Sequence, residues 1–160
     1  MTKSEILGDF LSKAIATVFF VGYLPLIPGT FGSLVAVGLF YLISQADKAV
    51  YLLVVLCVML LGFLTSGKVE TQLNKKDPSC IVIDEVGGML IAYSFMPVDL
   101  KIIILGFIIF RILDTLKPFP AERVQRIRGA VGIMGDDLIA GIYTNIILQL
   151  ILRLASSKTV

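Results

Sequence analysis

Apolar residues fall in six runs along the chain, at about 10–26, 31–43, 50–65, 81–95, 102–116 and 138–154, with short polar stretches between them. Within a run nearly every position is apolar, instead of one helical face or every second residue. Segments apolar all round belong inside a core or against lipid. Most of these runs fall short of the ~20 residues that cross a bilayer upright. Some are therefore expected to be tilted, interfacial or broken, and the first, bordered by Pro25 and Pro28, is the least regular. The pattern predicts an all-α fold: a multihelical integral membrane bundle of about four to six apolar helices, some short or interfacial, forming one domain over residues 1–160.

The connections are of two kinds. Two tight turns, 44–49 and 96–101, carry one lysine each, Lys48 and Lys101. Two longer stretches, 66–79 and 117–137, carry Lys68, Lys75, Lys76, Lys117, Arg123, Arg126 and Arg128. Basic residues mark cytoplasmic loops, so the longer stretches are expected inside and the tight turns outside. That alternation brings 28–33, Asp84 with Glu85, 111–120 and 132–137 to one interface. The unusual polar clusters of the chain then share one site.

Composition agrees with a membrane protein. Of 160 residues 57% are hydrophobic and 16% charged, against about 25% charged in soluble domains, and the mean hydropathy is +0.93. A compact soluble helical bundle is the plainer alternative. The net charge of +2 is too small to suggest nucleic acid as a partner. Cys57 and Cys80 form no motif. The N-terminal segment lacks a small-residue cleavage site after its apolar stretch, and no cleavage is expected. There is no histidine, which excludes histidine nucleophiles, Ser-His triads and histidine zinc sites.

The candidate chemistry lies in four clusters. Asp84 and Glu85 stand just inside an apolar run, followed by Gly87 and Gly88, which leave room for a second helix or a ligand. Asp136 and Asp137 open the last run, with Asp136 a candidate N-cap and Ala140 and Gly141 small beside Asp137. In 110–120 the residues Arg111, Asp114 and Lys117 recur at spacings of three, one inclined helical stripe stopped by Pro118 and Pro120. The turn 28–33 carries the hydroxyls of Thr30 and Ser33 before a helix, a setting that suits an anionic oxygen. Helix capping is the plain reading of the acidic pairs, and an ordinary turn that of 28–33.

Five acids at one interface repel each other unless cations lie among them. Arg111 and Lys117 supply two. A hard divalent ion with oxygen ligands, Mg²⁺ before any other, suits the remainder, and the missing histidine argues against zinc. Arginine, lysine and a metal facing lipid head groups point to phosphoryl chemistry. A cysteine phosphatase needs arginine about five residues past its cysteine, yet Glu85 and Val86 follow Cys80 there. No two of the five acids are separated by one residue, which disfavours a DxDx phosphatase. A cation- or proton-coupled carrier is the alternative from another class, since carriers use intramembrane acids. No inverted repeat is visible, however, and the acids gather at one interface instead of at midplane. A helical scaffold with buried ion pairs is a third reading.

The stretches PGTFGS at 28–33, IVIDE at 81–85, FRILDTLKPFP at 110–120 and GIMGDDLIAG at 132–141 closely resemble the phosphatidylglycerophosphatase A family, in family order and across most of the chain. The resemblance implies a Mg²⁺-dependent phosphatase that takes the terminal phosphate from phosphatidylglycerophosphate to leave phosphatidylglycerol. It implies a multi-pass protein of a bacterial-type inner membrane. With the loop charges, it places the active site at the cytoplasmic face on a phospholipid of that leaflet. Oligomeric state is left open. The implied functional residues are Asp84, Glu85, Arg111, Asp114, Lys117, Asp136 and Asp137. The five acids are candidate metal ligands, and Arg111 and Lys117, with Thr30 and Ser33, candidate phosphate-binding groups. Direct attack by water and an aspartyl-phosphate route both remain compatible with these residues.

Overall fold

A computed structural model describes residues 2–157, which form seven α-helices and no strand. Helix α1 (Lys3–Ala16) starts on a capping box, in which Thr2 Oγ1 accepts from the Glu5 N–H at 3.2 Å and the Glu5 carboxylate accepts from the Thr2 N–H at 2.6 Å. The apolar run at 10–26 does not continue as a helix. Val18, Phe19 and Phe20 take positive φ, with Thr17 Oγ1 accepting from the Phe20 N–H, and a 3₁₀ turn follows at Val21–Tyr23. Gly22 packs on the Cys80 carbonyl, where a Cβ would collide. The chain must bend here to reach the loop before α4.

Pro28 opens α2 (Pro28–Ile43), a position where its missing N–H costs nothing. Helix α3 (Lys48–Leu73) runs well past its apolar run, so half of the predicted connection 66–79 is helix. Thr65, Ser66 and Val69 continue its buried stripe there, and Asn74 ends it in the left-handed conformation. Helix α4 (Ile83–Ala92) has ten residues, eight of them buried. At about 15 Å it is too short to cross a bilayer. Helix α5 (Leu100–Leu116) is capped by Asp99, whose Oδ1 accepts from the N–H groups of Lys101 and Ile102. After the single-turn α6 (Ala121–Gln125), α7 (Ala130–Ser156) runs to the end of the described residues. Its N-cap is Gly129, so Asp136 lies two turns inside the helix and is not the predicted cap. The predicted connection 117–137 thus contains α6 and the start of α7.

The short α4 is the centre of the packing. A Cβ on Gly88 would meet the Asp137 carbonyl, and one on Gly141 the Gly88 carbonyl. These two glycines let α4 and α7 touch backbone to backbone. The far end of α4 is pinned by polar contacts in an apolar layer. Asn145 Nδ2 donates to the carbonyls of Ala92 (3.0 Å) and Ser94 (2.8 Å), and Tyr51 OH donates to the Leu90 carbonyl at 2.6 Å. Tyr93 stacks on Phe40 with centroids 4.7 Å apart and donates to the Ile103 carbonyl. The bonds to Leu90 and Ala92 satisfy carbonyls that the end of α4 would otherwise leave bare.

Helices α3 and α7 are long and apolar enough to cross a membrane. Only 28% and 22% of their most apolar windows are buried, whereas the core helix of a soluble bundle would be largely covered. Their outer faces carry Leu53, Leu56, Leu60 and Leu64, and Ile142, Ile146, Leu150 and Leu154, all exposed. The α2 and α5 helices, with 16 and 17 residues, reach about 25 Å.

Candidate active site

The four clusters meet at one end of the bundle, where α2 and α4 begin, α5 ends and α7 completes its second turn. Asp84 and Glu85 occupy the first turn of α4 without capping it, for the structure has no side-chain cap there. Asp137 faces them from α7 across the Gly88 contact. One carboxylate oxygen from each of Asp84, Glu85 and Asp137 lies within 4.8 Å of the other two. Asp84 and Asp137 are buried and Glu85 is half-buried. At an effective dielectric near 20, two charges at that distance repel by roughly 3.5 kcal/mol.

The local cations make their ion pairs outside this triad. Arg111 Nη1 pairs with Asp114 Oδ2 at 2.8 Å, and Lys117 Nζ pairs with Asp136 Oδ2. Among the described residues no ion pair includes Asp84, Glu85 or Asp137. Asp84 Oδ1, Glu85 Oε2 and Asp136 Oδ1 are buried with no hydrogen-bond partner. Buried acceptors of this kind are costly. Three convergent hard oxygen donors, two of them with orphaned buried atoms, are a set that a divalent cation fits. Of the five predicted metal ligands the structure brings these three within mutual ligand reach. Asp114 and Asp136 stand beside them, each holding a cation.

The predicted stripe of Arg111, Asp114 and Lys117 is broken at its last member. Lys117 has φ 47° and caps α5 in the left-handed conformation, which swings its side chain from the α5 face onto Asp136 of α7. Burial alone would lower the Lys117 pKa. The hydrogen bond and charge of Asp136, with Asp137 and Asp114 behind it, outweigh that and hold it above the ordinary lysine value. Lys117 is therefore a fixed positive charge at neutral pH.

Residues 28–33, expected as a turn before a helix, are the first turns of α2 itself, and they serve the site differently from the anion cradle their composition suggests. Pro28 has no N–H, and the N–H groups of Thr30 and Phe31 turn back to the Ile27 carbonyl. Ser33 is buried, donates to the Gly29 carbonyl at 3.0 Å and lies 3.5 Å from Arg111 Nη1. Thr30 is half-buried beside it. The glycine matters most here, because a Cβ on Gly29 would collide with Glu85 Oε1 and press on Arg111 Nη1 at 3.2 Å. Gly29 is what lets an acid and an arginine from two other helices approach together. Sequence reasoning passed over it, and over Glu70, whose carboxylate accepts from the Gly129 N–H at 2.6 Å and the Asp77 N–H at 3.1 Å. Glu70 thereby anchors the N-terminus of α7, on which Asp136 and Asp137 ride.

The chain as a whole is similar to known proteins. A phosphatidylglycerophosphatase A of Escherichia coli K12 is 37% identical over 139 residues, covering 86% of this chain and 81% of the relative. A phosphatidylglycerophosphatase A of Haemophilus influenzae Rd is 32% identical over 136 residues, covering 83% of each. A Bacteroides thetaiotaomicron protein, provisionally named phosphatidylinositol-3-phosphatase, is 32% identical over 148 residues, 88% of this chain and 92% of its own length. No solved structure matches. The family profile described as phosphatidylglycerophosphatase A matches residues 14–152, which include every one of the clustered acids and cations. The chain is thus a member of the phosphatidylglycerophosphatase A family.

Proposed function

We propose that this protein is a membrane-embedded lipid phosphatase, a single phosphatidylglycerophosphatase A-like domain that hydrolyses the terminal phosphomonoester of phosphatidylglycerophosphate to phosphatidylglycerol and inorganic phosphate. The observation that carries the reading is the unpaired triad of Asp84, Glu85 and Asp137, set beside Arg111 and Lys117 in a chain of this family. These three acids would hold Mg²⁺. When bound, the ion would polarise the phosphate and lower the pKa of water at the site. Asp114 and Asp136 orient the cations. Arg111 has guanidinium donors beyond the one spent on Asp114, so it can grip equatorial phosphate oxygens with its fork. Lys117, kept charged by Asp136, opposes the negative charge that builds on the transferring group. Without histidine, the base that takes the proton from water is a carboxylate. Ser33 acts through Arg111, and Thr30 stands at the rim.

Four to six of the apolar helices lie in a bacterial-type inner membrane, with the site at the cytoplasmic face, as the basic residues of 66–79 and 117–137 suggest. The Bacteroides relative favours a second substrate, a phosphoinositide monoester, on the same machinery. The test is phosphate release by the purified protein in mixed micelles, from phosphatidylglycerophosphate and from phosphatidylinositol 3-phosphate in parallel. Mg²⁺-dependent turnover of the first lipid that stops with EDTA is expected. Preference for the second would move the substrate assignment, and turnover of neither would remove the phosphatase reading. Turnover indifferent to EDTA would remove the metal. With oxygen-18 water in a single turnover, label in a protein carboxylate would replace direct hydrolysis by an aspartyl-phosphate route.

A further inference from the structure

Asp77 belongs to none of the four clusters, yet it lies where the acid-bearing elements are tied together. It stands in the loop between α3 and α4, ahead of Asp84. Its φ is 46°, in the left-handed region that aspartate tolerates better than most residues. The Asp77 N–H donates to Glu70 Oε1 at 3.1 Å, and Asp77 Oδ2 accepts from Gln125 Nε2 at 3.1 Å. Lys76 reaches the same way, its Nζ donating to the Arg126 carbonyl at 3.2 Å. The loop is thereby held to α3 on one side and to the end of α6 on the other. The second oxygen of Glu70, Oε2, holds the Gly129 N–H at the start of α7.

Helix α6 passes this hold on to the acids of α7. A Cβ on Gly135 would collide with Val124 Cγ1, and one on Gly132 with the Ile127 carbonyl. These contacts seat α6 and the residues after it against the first two turns of α7, just ahead of Asp136 and Asp137. In the other direction the chain runs from Asp77 through buried Pro78 and Ile81, whose N–H donates to the Pro78 carbonyl at 2.9 Å, into the first turn of α4. The charge of Asp77 acts on both Asp84 and Asp136, so the tie lies at the edge of the site. On the core side of the acids α4 and α7 are joined by the Gly88 and Gly141 contacts; on the loop side they are joined through Asp77 and Gln125. We infer that Asp77 is a positioning residue for the proposed reaction, its bond to Gln125 setting the gap between Asp84 with Glu85 on α4 and Asp137 on α7. The inference rests on the lipid phosphatase reading above. Groups that stand behind metal ligands cost roughly 10–100-fold in metal affinity or activity when removed.

Asp77→Ala removes the bond. Asp77→Asn keeps it, since an amide oxygen still accepts from Gln125 and asparagine tolerates the same φ. Two readouts on the purified protein are needed: binding of Mn²⁺ alone, followed by electron paramagnetic resonance, and Mg²⁺-dependent phosphate release from phosphatidylglycerophosphate in mixed micelles. Asp77→Ala should weaken Mn²⁺ binding about tenfold and lower kcat by at least as much, the low end of that range, with the lipid KM unchanged. Asp77→Asn should stay within about twofold of the parent in both. Gln125→Ala should match Asp77→Ala, and the double variant should be no worse than either, as for two ends of one bond. Equal losses in Asp77→Asn and Asp77→Ala would overturn the inference, because charge and not the bond would then be at work. A lowered melting temperature with parental Mn²⁺ binding and kcat would overturn it too, leaving Asp77 a loop stabiliser. Should Asp77→Ala not fold, Gln125→Ala carries the same expectation, and parental values there sink the idea. A parent that binds Mn²⁺ but hydrolyses no lipid would remove the phosphatase reading, while the Mn²⁺ affinities of the variants would still judge Asp77.

Discussion

At the scale of single residues, the site separates acids that could hold a metal from acids that hold cations. Asp136 and Asp137 are neighbours in sequence, yet one pairs with Lys117 and the other joins Asp84 and Glu85. Asp137→Asn should therefore raise the Mg²⁺ concentration needed for half-maximal activity, while Asp136→Asn should lower turnover at an unchanged Mg²⁺ requirement. A metal titration of both variants checks this, and matching shifts would refute the division. Arg111→Lys keeps the charge but cannot grip Asp114 and a phosphate together. Its kcat should fall by about a hundredfold or more, the scale of losing one transition-state donor. A melting temperature within a few degrees of the parent would show that the loss is chemical. The five acids and two cations were all legible as residue types beside apolar runs. Their partners were not, because the pairing of Lys117 depends on one left-handed φ at the end of α5, which no spacing rule encodes.

At the scale of elements, existence was legible and extent was not. The apolar runs mark α2, α3, α4, α5 and α7, since hydropathy reports burial in protein or lipid. Helix ends followed other forces: α3 continues because Thr65, Ser66 and Val69 still face inward, and α7 begins early because Glu70 holds the Gly129 N–H. The α4–α7 crossing is the contact that places Asp137 against α4, and it depends on Gly88 and Gly141. Gly88→Leu must push the helices apart. A destabilisation of about 1–3 kcal/mol, the usual cost of overpacking, should accompany loss of activity, read by thermal unfolding and phosphate release together. Wild-type stability and turnover would mean that the crossing is looser than described.

At the scale of the whole molecule, the helices assign ends to the bundle. Helix α1 lies along the upper part of α3, with Asp9 3.0 Å from Lys68, and does not cross to the far end. Helix α7 starts at the site end and finishes near Phe95 and Met96, at the opposite end. In a variant lacking Cys57 and Cys80, a cysteine at Asn74 and one at Ser157 should accordingly react with impermeant thiol reagents from opposite faces of the membrane. Reaction of both from one side would overturn the orientation of the two long helices.

The short α4 carries a further consequence. Its first residue, Ile83, packs with Met134 against Gly62 of α3, while α3 continues eleven residues more, to Leu73, a further 16 Å or so. The candidate site, one residue further along α4, thus lies below the α3 tip. A phospholipid keeps its glycerol near the hydrocarbon boundary and its phosphate a short way above. An enzyme built as a shaft topped by its catalyst would have to haul the lipid upward, baring its tails to water. If the proposed site is the reacting one, a lowered floor would bring water and cations down to the phosphate, and the lipid would react where it already lies.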